Sequence, residues 1–216
     1  MMNEISYTLV FVGHAVVLFC ILYYWKKLEK VQRWFGLFLV WGFVNDLKLV
    51  FVDDMLWSDR ILAFYVLTEI PFYGWFIFSM SKGIFPKRLQ LWFYVLLLPF
   101  WVLCFFVLED STDNDFYSSI YDGVSAAFIS CIAAWALVKM SEQPRWGQGI
   151  RLESSPRFWF LGGVFLYFFC SIFIFSIISR EVSERAWIVH NVINLLAMLI
   201  YSVGFVLAGR GRKAQL

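Results

Sequence analysis

Residues 61–80 read Ile-Leu-Ala-Phe-Tyr-Val-Leu-Thr-Glu-Ile-Pro-Phe-Tyr-Gly-Trp-Phe-Ile-Phe-Ser-Met. A helix of that length spans about 30 Å, the thickness of the hydrocarbon layer of a bilayer. Within this apolar and aromatic run a carboxylate, Glu69, stands near the centre. Tyr65, Glu69 and Tyr73 are spaced by four and share one helical face. Pro71 lacks an N–H, which opens the backbone one turn back, at the carbonyl of Leu67. A carboxylate at membrane depth beside a weakened helix marks a functional site by default.

The rest of the chain repeats the pattern. Hydrophobic residues make up 61% of 216 positions and charged residues 16%, the balance of a membrane protein rather than a soluble domain. Seven segments are long and apolar enough to cross: 7–25, 34–52, 61–80, 91–108, 117–138, 158–178 and 187–208. The expected fold is all-α, a single transmembrane bundle of seven helices over residues 1–216, with no loop large enough to fold by itself. The opening Met-Met-Asn-Glu-Ile-Ser has no basic residue and no small-residue cleavage site follows, so the first segment is expected to stay as a helix. Trp25, Trp34, Trp57, Trp92, Trp159 and Trp187 fall near segment ends, as interfacial anchors do.

Orientation follows from the basic residues. Lys26, Lys27, Lys30 and Arg33, then Lys82, Lys87 and Arg88, then Lys139, Arg145, Arg151 and Arg157, and finally Arg210, Arg212 and Lys213 all fall on one side. The other side holds Arg60, Arg180 and Arg185 against acids such as Asp53, Asp54, Asp59, Glu109, Asp110, Asp113 and Asp115. The positive-inside rule puts the N-terminus outside and the C-terminus in the cytoplasm of a multi-pass plasma (inner) membrane protein. The basic loops are read as contacts to anionic headgroups of the lipid bilayer, and no stretch suits nucleic acid. The longest loop, 140–157, is the place expected for a cytoplasmic partner, with a plain connector as the alternative.

With that orientation the polar residues inside the segments gather in the outer half. Lys48, Asp122, His190 and Asn191 lie roughly 5–8 Å below the outer edge, and His14, Asn45, Asp46, Glu69 and Asn194 roughly 10–12 Å below it. Each has an ordinary reading as well: snorkelling for Lys48, an interfacial cap for Asp122, helix–helix hydrogen bonds for His14 and Asn194, a structural polar lock for Asp46 and Glu69. Grouping at one depth favours a site. In the seventh segment Trp187, His190, Asn191, Asn194, Ala197, Met198 and Tyr201 form one stripe, opposite an aliphatic face of Ile188, Val192, Leu195 and Leu199. Stripes of tyrosine beside carboxylates suit a small cationic or amphipathic ligand from outside. Phe76, Phe205 and Trp135 are expected to seal the cytoplasmic side. Cys20, Cys104, Cys131 and Cys170 lie within apolar segments without CxxC spacing, so they read as packing residues; neither a metal site nor a cofactor is expected.

The pattern around Glu69, the Arg157-Phe-Trp-Phe-Leu-Gly-Gly-Val-Phe-Leu-Tyr167 opening of the sixth segment, and His190-Asn-Val-Ile-Asn194 with Tyr201 and Gly204 resemble a group of small seven-helix bacterial integral membrane proteins. The resemblance implies topology and carries no functional residue with it. Other seven-helix families fit worse. The seventh segment has no lysine for retinal, and Pro71 and Pro99 are each followed by Phe where PQ-loop transporters carry Gln or Asn. HExxH, GxSxG and Walker motifs are absent.

The first functional expectation is therefore a ligand-binding or sensory protein with a polar pocket open to the outer side. A small-solute or proton-coupled transporter and an intramembrane lipid-modifying enzyme are the alternatives.

Overall fold

A computed structural model of the protein describes residues 2–51, 55–109, 115–142, 151–178 and 184–211. Seven α-helices appear among them and no strand: α1 (Met2–Tyr24), α2 (Lys30–Phe51), α3 (Met55–Met80), α4 (Lys87–Glu109), α5 (Asp115–Ser141), α6 (Pro156–Ile178) and α7 (Glu184–Gly211). Each apolar segment coincides with one helix. The helices overrun the apolar segments, as α3 does by beginning at Met55, because polar flanks can continue a helical backbone into the interface. Four of them, over Thr8–Lys27, Gly123–Ser141, Pro156–Ile174 and Ile188–Gly211, are long and apolar enough to cross a membrane. The described part of α2 carries Lys30, Arg33 and Asp46, which lowers its apolar character below theirs.

The connections follow local rules. Between α1 and α2 a 3-10 turn (Trp25–Lys27) closes through Leu28 N–H to the Trp25 carbonyl, and the Gln32 side-chain oxygen accepts from the Glu29 N–H at 2.9 Å. That contact satisfies a donor which the first helical turn leaves without a backbone partner. Gly83, with φ +86°, turns the chain from α3 to α4 in the left-handed region that only glycine enters freely. Pro156 is the first residue of α6, where its missing N–H costs nothing. The Trp159 indole donates to the Glu153 carbonyl at 2.7 Å and ties the end of the long loop to α6; the 143–150 part of that loop lies outside the described residues.

Helices α5, α6, α7 and α1 pack in that order, each closely on the next, while α2, α3 and α4 touch their neighbours more sparsely. Tyr24, the last residue of α1, lies on Gly209 near the end of α7, and Gly13 lies against Leu195 and Met198, so α1 and α7 run parallel. Ile21 faces Gly36, which sets the end of α1 beside the start of α2. The basic residues at the ends of α1 and α7 and at the start of α2 thus share one end of the bundle.

Near that end lies a knot of four fully buried phenylalanines from four helices: Phe35 (α2), Phe76 (α3), Phe160 (α6) and Phe205 (α7). Phe35 and Phe76 stack at 4.0 Å between centroids, and Phe160 stands edge-on to Phe35, Phe76 and Phe205. Offset and edge-on arrangements are the favoured ones for aromatic rings. Trp135, expected in the same seal, is exposed and belongs to the outer surface of α5. An indole is large and suits a lipid-facing position, and the small residues Ala133 and Ala136 take the packed face of that helix instead. Trp34 and Trp92 are likewise exposed.

Candidate functional site

Beyond the phenylalanine knot, away from the basic end, five helices enclose a cavity of about 80 Å³. His14 reaches it from α1, Leu39, Gly42 and Asp46 from α2, Tyr65 and Tyr73 from α3, Tyr167 from α6, and His190, Asn194, Met198 and Tyr201 from α7. Of the residues singled out in the sequence, His14, Asp46, Tyr65, Tyr73, His190, Asn194 and Tyr201 therefore meet in one place. The reason is geometric: on each helix the lining residues recur at spacings of three, four or eight and so share one inward face, as His190, Asn194, Met198 and Tyr201 do on α7 and Tyr65 and Tyr73 on α3.

His14 is 2% exposed. Its Nδ1 lies 3.0 Å from the Val10 carbonyl oxygen, and its Nε2 lies 3.7 Å from Asp46 Oδ2. A carbonyl can only accept, so Nδ1 carries the proton and donates, and Nε2 is left facing the carboxylate. The ring also stacks on Phe43 at 5.3 Å, which fixes its plane. Asp46 is about one-third exposed, the wettest of this pair.

The tyrosines are held by rings. Phe38 stacks on Tyr65 and on Phe72 and meets Tyr73 edge-on. Tyr73 in turn is edge-on to Phe168, and Tyr201 to Phe35. Gly42 leaves room for the Tyr65 hydroxyl, which lies 3.4 Å from where a Cβ would stand. The Tyr201 hydroxyl, near Tyr73, is fully enclosed and makes no hydrogen bond of normal length among the described residues; the Asn194 side-chain oxygen is in the same condition. Tyr167 is within ring contact of His190, at 5.9 Å between centroids.

The other expected residues stand aside from the lining. Glu69 is half-buried and lies within electrostatic range of Tyr65, Tyr73 and Tyr201. Asn45 (5% exposed) and Asn191 (9%) are buried but are not among the lining residues; each is one residue, or about 100° of helix, from the neighbour that lines the cavity. The side chains of Asp122 and Lys48 lie outside the described residues. The stripe on α7 holds in part: Ala197, Met198 and Tyr201 are buried and Val192 and Leu199 exposed, but Leu195, expected on the lipid side, packs against Gly13 of α1 because the parallel helix α1 covers that flank of α7.

Leu39, Gly42 and Tyr167 are lining residues that sequence reasoning missed, and the polar one of the three is Tyr167. It sits in the most uniformly apolar helix, one hydroxyl among phenylalanines, with no charged neighbour to mark its depth. Its spacing of four from Gly163, in the Gly-Gly opening of α6, was the available signal. Among the described residues, no three His, Cys, Asp or Glu side chains converge closely enough to hold a metal ion. Cys20, Cys131 and Cys170 are free thiols, and Cys131 is exposed rather than packed inside. No family model, curated protein or solved structure matches the chain.

Proposed function

We propose that the protein crosses the plasma membrane seven times, N-terminus outside and C-terminus in the cytoplasm, and acts as a ligand-binding or sensory protein whose cavity opens to the outer side. The observation that carries this reading is the order of layers along the bundle. A cavity lined by His14, Asp46, Asn194 and four tyrosines sits on one side of the fully buried Phe35–Phe76–Phe160–Phe205 knot, and the basic connections lie on the other. A sensor needs access from one side only. The cavity also joins the closely packed helices α1, α6 and α7 to the more sparsely packed α2 and α3. A ligand touching both groups shifts their relative position by its differential affinity for the two arrangements, and movement of α2 and α3 carries the signal to the basic loops.

For transport the knot has to part, and Pro71 in α3, five residues from Phe76, is the feature that favours this second reading. Intramembrane catalysis with His14 as general base is disfavoured, since one ring nitrogen is committed to Val10 and the other faces Asp46.

The test is accessibility. In a background without Cys20, Cys104, Cys131 and Cys170, Asn194→Cys should react with an impermeant thiol reagent added outside, and Ala208→Cys, beyond the knot, should not. Protection of both positions means a dry bundle and overturns the reading. Reaction of both means a through-path and favours the transporter.

A further inference from the structure

The connection from α1 to α2 carries more positive charge than its own carboxylate can answer. Residues 25–33 read Trp-Lys-Lys-Leu-Glu-Lys-Val-Gln-Arg, with Lys26, Lys27, Lys30 and Arg33 against Glu29. Among the described residues none of these five is ion-paired. The α5–α6 connection behaves differently. There Lys139 Nζ lies 2.7 Å from Glu142 Oε2, and Arg151 Nη1 lies 3.9 Å from Glu153 Oε1. The start of α2 adds to the imbalance, because its first turn holds no acidic residue. The first turn carries the positive end of the helix dipole, where anions are favoured and cations are not. Lys30 and Arg33 are three apart and so are neighbours on that helix surface.

Two of the four cations are also held in place. The Arg33 guanidinium stands 5.9 Å from the centre of the Trp25 ring, and its Nη2 donates to the Lys26 carbonyl at 3.2 Å. Its Nε–H is enclosed and has no hydrogen-bond partner among the described residues. The Lys27 ammonium stands 5.7 Å from the centre of the Tyr24 ring, and Tyr24 is seated on Gly209 of α7. A side chain pinned in this way gives up less freedom on binding than a free one. The α3–α4 connection is the contrast. Its Lys82, Lys87 and Arg88 are exposed, and among the described residues no ring, carbonyl or carboxylate holds them. Counted over side chains, the two connections have the same net charge, but only the first is organised.

We infer that the α1–α2 connection is a binding site for a phosphate-bearing anion, anchored on Arg33 and Lys30 and flanked by Lys26 and Lys27. A guanidinium fixed against a ring presents a planar fork, the shape that suits phosphate oxygens. The general attraction of basic loops to a bilayer surface follows charge alone and treats the two connections alike. This site distinguishes them. The phosphate is that of an anionic phospholipid headgroup or of a soluble anion. Trp34, next to Arg33 and 50% exposed, places an interfacial anchor beside the site and favours the headgroup. The inference holds whichever way the cavity opens.

Full-length protein in neutral detergent, titrated with phosphatidylglycerol and read by native mass spectrometry, should bind one lipid saturably and in preference to zwitterionic phosphatidylcholine. Arg33→Gln should weaken that binding about tenfold, as loss of a charged hydrogen-bond donor does. Lys87→Gln removes an equal charge from the α3–α4 connection and should leave it nearly unchanged. A measurement on the unmutated protein stands beside the variants in case Arg33→Gln does not fold: phosphatidylglycerol should shield Lys30 from an amine-reactive reagent and leave Lys87 labelled. Inorganic phosphate at constant ionic strength separates the sources. Displacement of the lipid by millimolar phosphate supports a site open to soluble phosphate groups, and failure to displace it supports a headgroup site. Equal binding of the two lipids overturns the inference. Equal losses from Arg33→Gln and Lys87→Gln, or equal shielding of Lys30 and Lys87, overturn it as well, because they mean charge without a site.

Discussion

The ring of Tyr201 lies directly against Gly163 of α6: a Cβ placed on that glycine would stand 2.7 Å from Cδ1 of the ring and still closer to Cε1. Real Cβ contacts are not that short, so the absence of a side chain at 163 is what lets the cavity floor sit where it does. Gly163→Ala should lower the thermal midpoint in detergent, by an overpacking cost of about 1–3 kcal/mol. Its neighbour provides the control. A Cβ on Gly162 meets nothing within 4 Å, so Gly162→Ala should leave the midpoint unchanged or slightly raised. Equal responses from the two variants would mean that Tyr201 is not pinned by α6.

The ring of Tyr201 is 1% exposed and packs edge-on to Phe35 as well as on Gly163. Tyr201→Phe keeps that ring and should shift the thermal midpoint by the equivalent of about 1 kcal/mol or less. Tyr201→Ala removes it and should cost about 3–5 kcal/mol. Similar losses from the two variants would mean that the hydroxyl, and not the ring, holds the floor of the cavity.

Phe35 is the hub of the knot, touching Phe76, Phe160, Phe205, Tyr73 and Tyr201. Phe35→Ala should cost roughly 3 kcal/mol, toward the lower end for aromatic truncation because lipid supplies no hydrophobic drive and the loss is one of packing. It should also open the seal. In the cysteine-free background, Ala208→Cys should become reactive to an outside reagent when combined with Phe35→Ala. Continued protection would mean that the barrier lies elsewhere.

Orientation is decided by reporters. A reporter active only in the cytoplasm should work when fused after Leu216 and fail when fused before Met1. The opposite pattern would turn the bundle over, put the cavity on the cytoplasmic side and remove the outer-side ligand.

Much of this was legible because the membrane simplifies the problem. A run such as 158–178 has one structural solution at bilayer thickness, and α6 spans Pro156–Ile178. Depth counted along the chain put His14, Asp46 and Asn194 in one layer, and all three line the cavity. Rotation about each helix axis was less legible. Asn45 and Asp46 are adjacent in sequence, yet only Asp46 faces the cavity, since periodicity needs a polar stripe to fix a phase and α2 offers a single polar patch. Glu69 drew attention by its charge, and its tyrosine neighbours do the lining. Trp135 was misplaced for the same reason as Tyr167 was overlooked: among so many large apolar residues, sequence does not distinguish the ring that faces lipid from the ring that faces protein.

The parallel contact of α1 with α7 bears on how the molecule is made. Gly13 meets Leu195 and Met198, residues that leave the ribosome about 180 positions later, roughly ten to thirty seconds at ordinary rates of synthesis. Until then α1 leans on its weaker contact with α2, and His14 waits beside a wall that does not yet exist. The layer around the cavity can close only when the seventh helix arrives with His190, Asn194, Met198 and Tyr201, so a chain cut short before α7 loses the cavity entirely rather than in part.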